Sequence, residues 1–284
     1  MLIQLASFCV ALLVAFQGIP SGLMRPEYTA PQKPFTIAGN LHFVGSQGLG
    51  VYLITSPQGH ILIDSGVEAS ARQALENIRS LGFKTQDVKI LLDTHAHFDH
   101  VAGHSVIVQG TGAAVWAMQG DDDVLASGGA TDFLWGGKVS FPAVKIAKVL
   151  KDGDTVSLGG NVLTAHKLGG HTKGNTVWTF SVMDDGVRRS VLVAPSMSVN
   201  PGTGLKKHPS YLWIADDYEK GFAWLAQQHP DIFVAPHTSF FEMDKKLALL
   251  ATHPARNPFV DPNGLAAFVE NWKTQYAQYL ADEK

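Results

Sequence analysis

Residues 93 to 104 read DTHAHFDHVAGH, which sets four histidines and two aspartates in a row in a chain with 12 histidines among 284 residues. Alternate residues of an extended segment point the same way, so His95 and His97 can reach one metal as the chain leaves a strand. Asp99 and His100 come after a turn and can face a second point nearby. Imidazole and carboxylate are the donors that zinc accepts where no thiolate is offered, and the H-x-H-x-D-H spacing is more specific than most short motifs. Downstream, GGHTKGN at 169–175 offers His171 on a glycine-rich turn where backbone can approach a metal closely. APH at 235–237 offers His237 at the end of an apolar run. His104, one turn beyond His100, reads as a helix-surface residue, with a supporting donor as its alternative. His166 sits on a strand that could face core or solvent, and His42, His60, His208, His229 and His253, in turns or beside prolines, take no role.

The elements that must position these residues alternate along the chain. LHFVGS, GVYLIT and HILIDS, between residues 41 and 65, are β-branched or aromatic runs separated by turn residues and predict an antiparallel meander. Residues 68–81 carry Ala71, Leu75, Ile78 and Leu81 at helical spacing. VKILLDT at 88–94 is apolar enough for a strand covered on both faces, and it delivers the chain into HAHFDH. The second half repeats the order: strands at 162–168, 176–183 and 190–194, a helix at 209–228, then DIFVAP ending at His237. Two such βα halves, related by a pseudo-twofold, predict an α/β protein whose sheets stack face to face with helices outside, a four-layer αβ/βα sandwich. A helix at 263–282 would cover an outer face. SGGATDFLWGGKVS at 127–140 reads as a mobile loop whose Phe133 and Trp135 would wall a cleft or lie on the surface.

Composition removes several function classes. With 22 basic against 25 acidic residues there is no positive surplus to neutralise a phosphate backbone, so nucleic acid is excluded as a partner. The uncharged stretch 1–22 contains an apolar run from Leu5 to Phe16, too short to span a bilayer and suited to a secretory signal. We expect a signal peptide at 1–22, a proline-rich arm at 23–36 lying across the domain or tethering it, and one catalytic domain at 37–284. The sole cysteine, Cys9, falls in the leader. The exported chain would therefore have neither disulfide nor thiolate, and histidine and carboxylate must hold any metal.

HAHFDH, Gly170-His171-Thr172, Pro236-His237 and the upstream LIDSG of 62–66 together resemble the metallo-β-lactamase superfamily, over nearly the whole chain after residue 36. The resemblance implies that fold, with the metal site at the edge between the sheets. Many of its hydrolases carry a metal-bridging aspartate after the last strand of the second meander, and one lactamase subclass carries a cysteine there. Here that place reads VAPSMSV. Ser196, Ser198 and the NPG that follows resemble subclass B3. That subclass implies two zinc ions per chain, one on His95, His97 and His171 and one on Asp99, His100 and His237. It further implies a metal-activated water that opens the β-lactam ring with no covalent acyl-enzyme, Asp99 orienting that water, and Ser196 and Ser198 docking the substrate carboxylate. Asp64 would orient ligands from behind or simply cap a strand. The expected enzyme is a periplasmic, monomeric hydrolase of a small-molecule β-lactam, without stable membrane association after processing. Two departures from the family pattern stand out: Thr203 occupies a place where some relatives have a tyrosine, and the disulfide of several relatives cannot form.

Two alternatives remain open at this level. A di-zinc hydrolase of the same fold could act on a lactone, thioester or phosphoester, though the missing aspartate argues against the commonest of these. A noncatalytic zinc protein would normally have lost a ligand, and none is lost. A di-iron redox centre is disfavoured, since His97 stands where such relatives carry glutamate.

Overall fold

The computed structural model describes residues 18–283, so most of the expected leader, with Cys9, lies outside the described residues. The arm carries one helical turn, α1 (Pro26–Thr29), before the chain enters a meander of β1 (Phe35–Ala38), β2 (Leu41–Phe43), β3 (Tyr52–Ile54) and β4 (His60–Ile63). Helix α2 (Glu68–Ser80) crosses over to β5 (Val88–Leu92), which lies parallel to β4. Short helices α3 (Phe98–Val101) and α4 (His104–Thr111) lead to β6 (Ala114–Met118). Helix α5 (Asp122–Ala126) and the 127–140 loop then lead to β7 (Ile146–Leu150), closing a seven-stranded sheet in chain order.

The second sheet has five strands, ordered β12-β11-β10-β9-β8: β8 (Thr155–Leu158), β9 (Asn161–Lys167), β10 (Thr176–Asp184), β11 (Val187–Val193) and β12 (Ile232–Val234). Helix α6 (Ile214–Leu225) crosses from β11 to β12, which pair in parallel. Helices α7 (Met243–Thr252) and α8 (Gly264–Asp282) complete the chain.

Side-chain alternation explains the layers. On β4, Ile61 and Ile63 join the core shared with β10 and β11, whereas Leu62 between them packs under α2 with Leu75 and Ile78. The core between the sheets runs from Phe43 and Tyr52 through Trp178 and Phe233 to Tyr218 of α6 and Phe268 of α8. The four-layer sandwich is as expected. The sequence reading missed β1, which starts inside the supposed arm, and β6, β7 and β8. The helix expected at 209–228 starts only at Ile214, because Trp213 takes a left-handed backbone, φ 74°, and breaks the helical path. His42 and His60 lie on β2 and β4 instead of in turns, both buried against Phe83.

The two halves meet where β4, β5, β11 and β12 end. Leu49 bridges to His237, and the Gly50 N–H donates to the Pro236 carbonyl at 2.7 Å. A Cβ at Gly50 would stand 2.7 Å from the Ala235 carbonyl oxygen, so only glycine admits this contact. Among the described residues no helix is long and apolar enough to cross a membrane.

Candidate metal centre

Six side chains converge at that edge as two groups, His95 with His97 and His171, and Asp99 with His100 and His237; within each group the ligand atoms lie within 4.8 Å of one another. His97 Nδ1 and His171 Nε2 stand 2.9 Å apart. In the second group, Asp99 Oδ2 lies 3.4 Å from His100 Nε2 and 3.5 Å from His237 Nε2. The rings crowd one another, with the His95 and His100 centroids 4.3 Å apart.

Burial sets the charge. It pushes His97, His171 and His237 down to about 3, and His95 well below its ordinary value, so their nitrogens keep lone pairs at neutral pH. Burial pushes Asp99 up as well, but His100, His237 and His97 outweigh it and hold the carboxyl well below the usual carboxylate range. Asp99 and Asp64 raise His100 against its own burial. Without a metal, His100 thus favours a proton beside the Asp99 carboxylate, a positive charge that a metal ion would replace. Both ring nitrogens of His100 are buried without a hydrogen-bond partner. Such atoms are costly unless something else binds them. Neutral imidazoles, one carboxylate and enclosed unpartnered nitrogens are the donor set a divalent zinc would take.

The surrounding contacts aim these donors. His171 donates its Nδ1–H to the Ser198 carbonyl at 2.6 Å, which leaves Nε2 for the site. Asp64, itself in a left-handed backbone at φ 63°, accepts the Thr94 N–H at 2.7 Å and the Thr94 hydroxyl at 2.9 Å; Thr94 Oγ1 in turn lies 3.1 Å from His95 Nδ1. Asp64 thus braces Thr94, and Thr94 the His95 ring, from behind. His97 Nε2 lies 3.8 Å from Asp132 Oδ2, and Trp135 tilts over the His97 ring at 4.6 Å. The 127–140 loop therefore walls the cleft.

A family description for the metallo-beta-lactamase superfamily matches residues 51–187. Native FEZ-1 metallo-beta-lactamase from Legionella gormanii is 41% identical, aligning over 90% of this chain and 98% of its own with a TM-score of 0.87. BJP-1, a subclass B3 metallo-beta-lactamase of Bradyrhizobium japonicum, is 36% identical over 91% of this chain and 97% of its own, TM-score 0.84. The class B3 di-zinc enzyme LRA-12 from an Alaskan soil metagenome is 34% identical over 92% and 98%, TM-score 0.85. The chain belongs to the metallo-β-lactamase superfamily.

Against that family pattern, the structure sorts the residues expected at the site. All six ligand candidates meet. Ser198 lines the cleft, whereas Ser196 is buried at the end of β11, its carbonyl taking the Asn175 amide at 2.9 Å, so the cleft wall contains only one of the two serines. Thr203 is buried away from the cleft. His104 is not on a helix surface: it is fully buried, with Nδ1 2.8 Å from the Ser65 hydroxyl. His166 is half-buried beside Thr179, at 2.9 Å.

Two residues escaped the sequence reading. Tyr28, on the proline-rich arm, is buried against His237 with ring centroids 5.9 Å apart, and its phenol is pushed upward by burial and by the Asp99 carboxylate. Asp121 is wholly buried and accepts from the Ala96 N–H at 2.8 Å, the Thr172 hydroxyl at 2.7 Å and the Gly174 N–H at 2.7 Å. It fastens the turn of His95 and His97 to the turn of His171. Asp121→Ala would strand all three donors, each costing ~1–3 kcal/mol. We expect a loss of about 3 kcal/mol or more and a Tm lower by roughly 6–12 °C, read by thermal unfolding of the metal-free chain. A Tm within two degrees of wild type would show that the strut is dispensable.

Proposed function

We propose that this chain is a zinc-dependent β-lactamase of subclass B3, holding two zinc ions, one on His95, His97 and His171 and the other on Asp99, His100 and His237. The observation that carries this reading is the second triad. It is complete, while the end of β11, where lactone- and thioester-cleaving relatives would place a bridging aspartate, reads Ala194-Pro195-Ser196. Zinc in these triads would polarise the lactam carbonyl and lower the pKa of water to near neutrality.

The chain's own residues do the rest. Both triads open on one cleft of about 580 Å³, enough for a small bicyclic substrate. Trp135, Tyr28, Phe240 and Trp272 give it apolar walls, and Ser198 offers a half-buried hydroxyl for the substrate carboxylate. Asp99 remains anionic and can hold a water proton at Oδ2. No nucleophile of the chain need form an acyl bond.

The remaining expectations belong to the same proposal: a secretory leader at 1–22, the arm at 23–36, one catalytic domain at 37–284, and a monomer acting in the periplasm. Gly18 donates to the Ser140 hydroxyl at 2.9 Å and its carbonyl accepts from the Ser140 N–H at 3.1 Å, so trimming of the leader would bear directly on the 127–140 loop. The deciding assay combines a metal count on the purified chain with hydrolysis of a chromogenic cephalosporin, with and without a chelator. Two zinc ions and hydrolysis abolished by the chelator are expected. Two zinc ions without chelator-sensitive hydrolysis would return the chain to the lactone, thioester or phosphoester alternative.

A further inference from the structure

We infer that Tyr218 and Tyr211 are positioning residues for the metal ligand His171, acting through hydroxyls that clamp its turn from beneath. The inference rests on reading His95, His97 and His171 as a metal site, but not on the substrate. Tyr218 donates its O–H to the Ser198 carbonyl at 2.7 Å. That is the same carbonyl that accepts from His171 Nδ1 at 2.6 Å. A carbonyl has two lone pairs. Tyr218 occupies one, which fixes the oxygen so that the other stays on the imidazole. Without that hydroxyl the Ser198 peptide, half-buried at the cleft rim, is free to turn its oxygen toward water, and His171 Nδ1 is left with the Ser198 hydroxyl at 3.4 Å, a longer partner that can donate or accept and so does not fix the tautomer.

Tyr211 holds the other side of the turn. Its Oη accepts the Gly170 N–H at 2.7 Å and donates to Asp217 Oδ2 at 2.9 Å. Gly170 has φ +84°, and a Cβ there would stand 3.0 Å from the Tyr218 ring, so the turn rests directly on that ring. Burial and Asp217 push the Tyr211 phenol upward, and burial with Tyr211 pushes Tyr218 upward, so both remain protonated donors. His171 is thus held on two sides: Tyr211 takes the N–H of the residue before it, and Tyr218 fixes the Ser198 carbonyl that accepts from its outer nitrogen.

The test removes the hydroxyls and keeps the rings. Tyr218→Phe and Tyr211→Phe are titrated with cobalt(II) as the metal alone, following the visible bands of the occupied sites, and with zinc against a chromophoric chelator. Tyr276→Phe is the control for packing: its hydroxyl reaches the Ala215 carbonyl at 3.3 Å and its ring touches Tyr218 at 5.2 Å. Losing an outer partner of a ligand typically weakens metal binding ~10–100-fold. We expect about tenfold weaker binding at the three-histidine site in Tyr218→Phe, altered cobalt bands for that site, and unchanged affinity at the Asp99 site. Tyr276→Phe should match wild type. Wild-type affinity in both Tyr218→Phe and Tyr211→Phe overturns the inference, as does equal weakening in Tyr276→Phe. If Tyr218→Phe fails to fold, Tyr211→Phe decides alone. A wild-type chain that binds no metal would instead remove the reading of the site itself.

Discussion

Asp99→Asn is expected to lower kcat on a cephalosporin by a factor of roughly 10²–10⁴, the range that a positioned proton-handling group supplies. The substitution keeps shape and removes charge. Asp99 Oδ2 is shared between His100 Nε2 at 3.4 Å and His237 Nε2 at 3.5 Å, and those histidines hold the carboxyl anionic throughout the neutral range. An asparagine oxygen can still be a neutral ligand, but it cannot offset a divalent cation or hold a water proton. Metal counting separates the two roles. If Asp99 only holds the second metal, saturating zinc restores activity; if it also handles the proton, activity stays low with both sites filled. More than a tenth of wild-type kcat with both metals bound would refute the assigned role.

The contrast between Asp99 and Asp121 shows how far the sequence could be read. Asp99 sits inside a string whose spacing has a geometric meaning, because alternate residues of an extended segment share a side and a turn carries the next pair to a second point. His171 was reachable on its glycine-rich turn between two strands, and His237 because an apolar strand leads to it as one leads to His95 in the first half. Asp121 opens the acidic run 121–123, and nothing local distinguishes it from Asp122 and Asp123; only the approach of the Ala96 and Gly174 amides makes it a strut. Tyr28 fails for a similar reason, since a proline-rich arm has no period to predict what it covers. The missed strands have another cause. β6, AVWAM, is a short apolar run with no alternation, and such a run does not differ in pattern from a buried helical turn. β7, IAKVL, lies at the sheet edge with its three central residues exposed, and with Lys148 its one polar residue it shows no alternation of apolar and polar positions. His104 was misplaced because a helix of eight residues has too little periodicity to show its buried face, and the group that receives its imidazole, Ser65, comes from another element.

Those buried histidines make the metal-free chain sensitive to acid. His97, His104, His171 and His237 sit at about 3 and His42 at about 4, against an ordinary 6.5, all through burial. Below pH 6.5 the unfolded chain takes up a proton at each of them and the folded chain does not, so stability falls with falling pH down to the folded values. Three aspartates work in the opposite direction. Burial raises Asp64 and Asp121 to about 6 and Asp93 well above its ordinary value, so the folded state holds those protons at a pH where the unfolded state has lost them. His100, raised, is protonated in both states below pH 6.5, and Asp99, lowered, titrates below the window. With His95, which burial also holds well below its ordinary value, six histidines against three aspartates leave the unfolded chain about three protons ahead near pH 5, a slope of about 4 kcal/mol per pH unit. Total stabilities are about 5–15 kcal/mol. Two pH units therefore remove a large share of the stability of the metal-free chain. Urea unfolding of chelator-treated protein at pH 7, 6 and 5 should show the midpoint falling at each step. His104→Asn, remote from the ligand atoms, should reduce the slope by about 1.4 kcal/mol per pH unit, one histidine's share. A midpoint constant from pH 7 to 5 would mean that the histidines take up protons as readily in the folded chain as in the unfolded one, and burial would not be what keeps their nitrogens unprotonated.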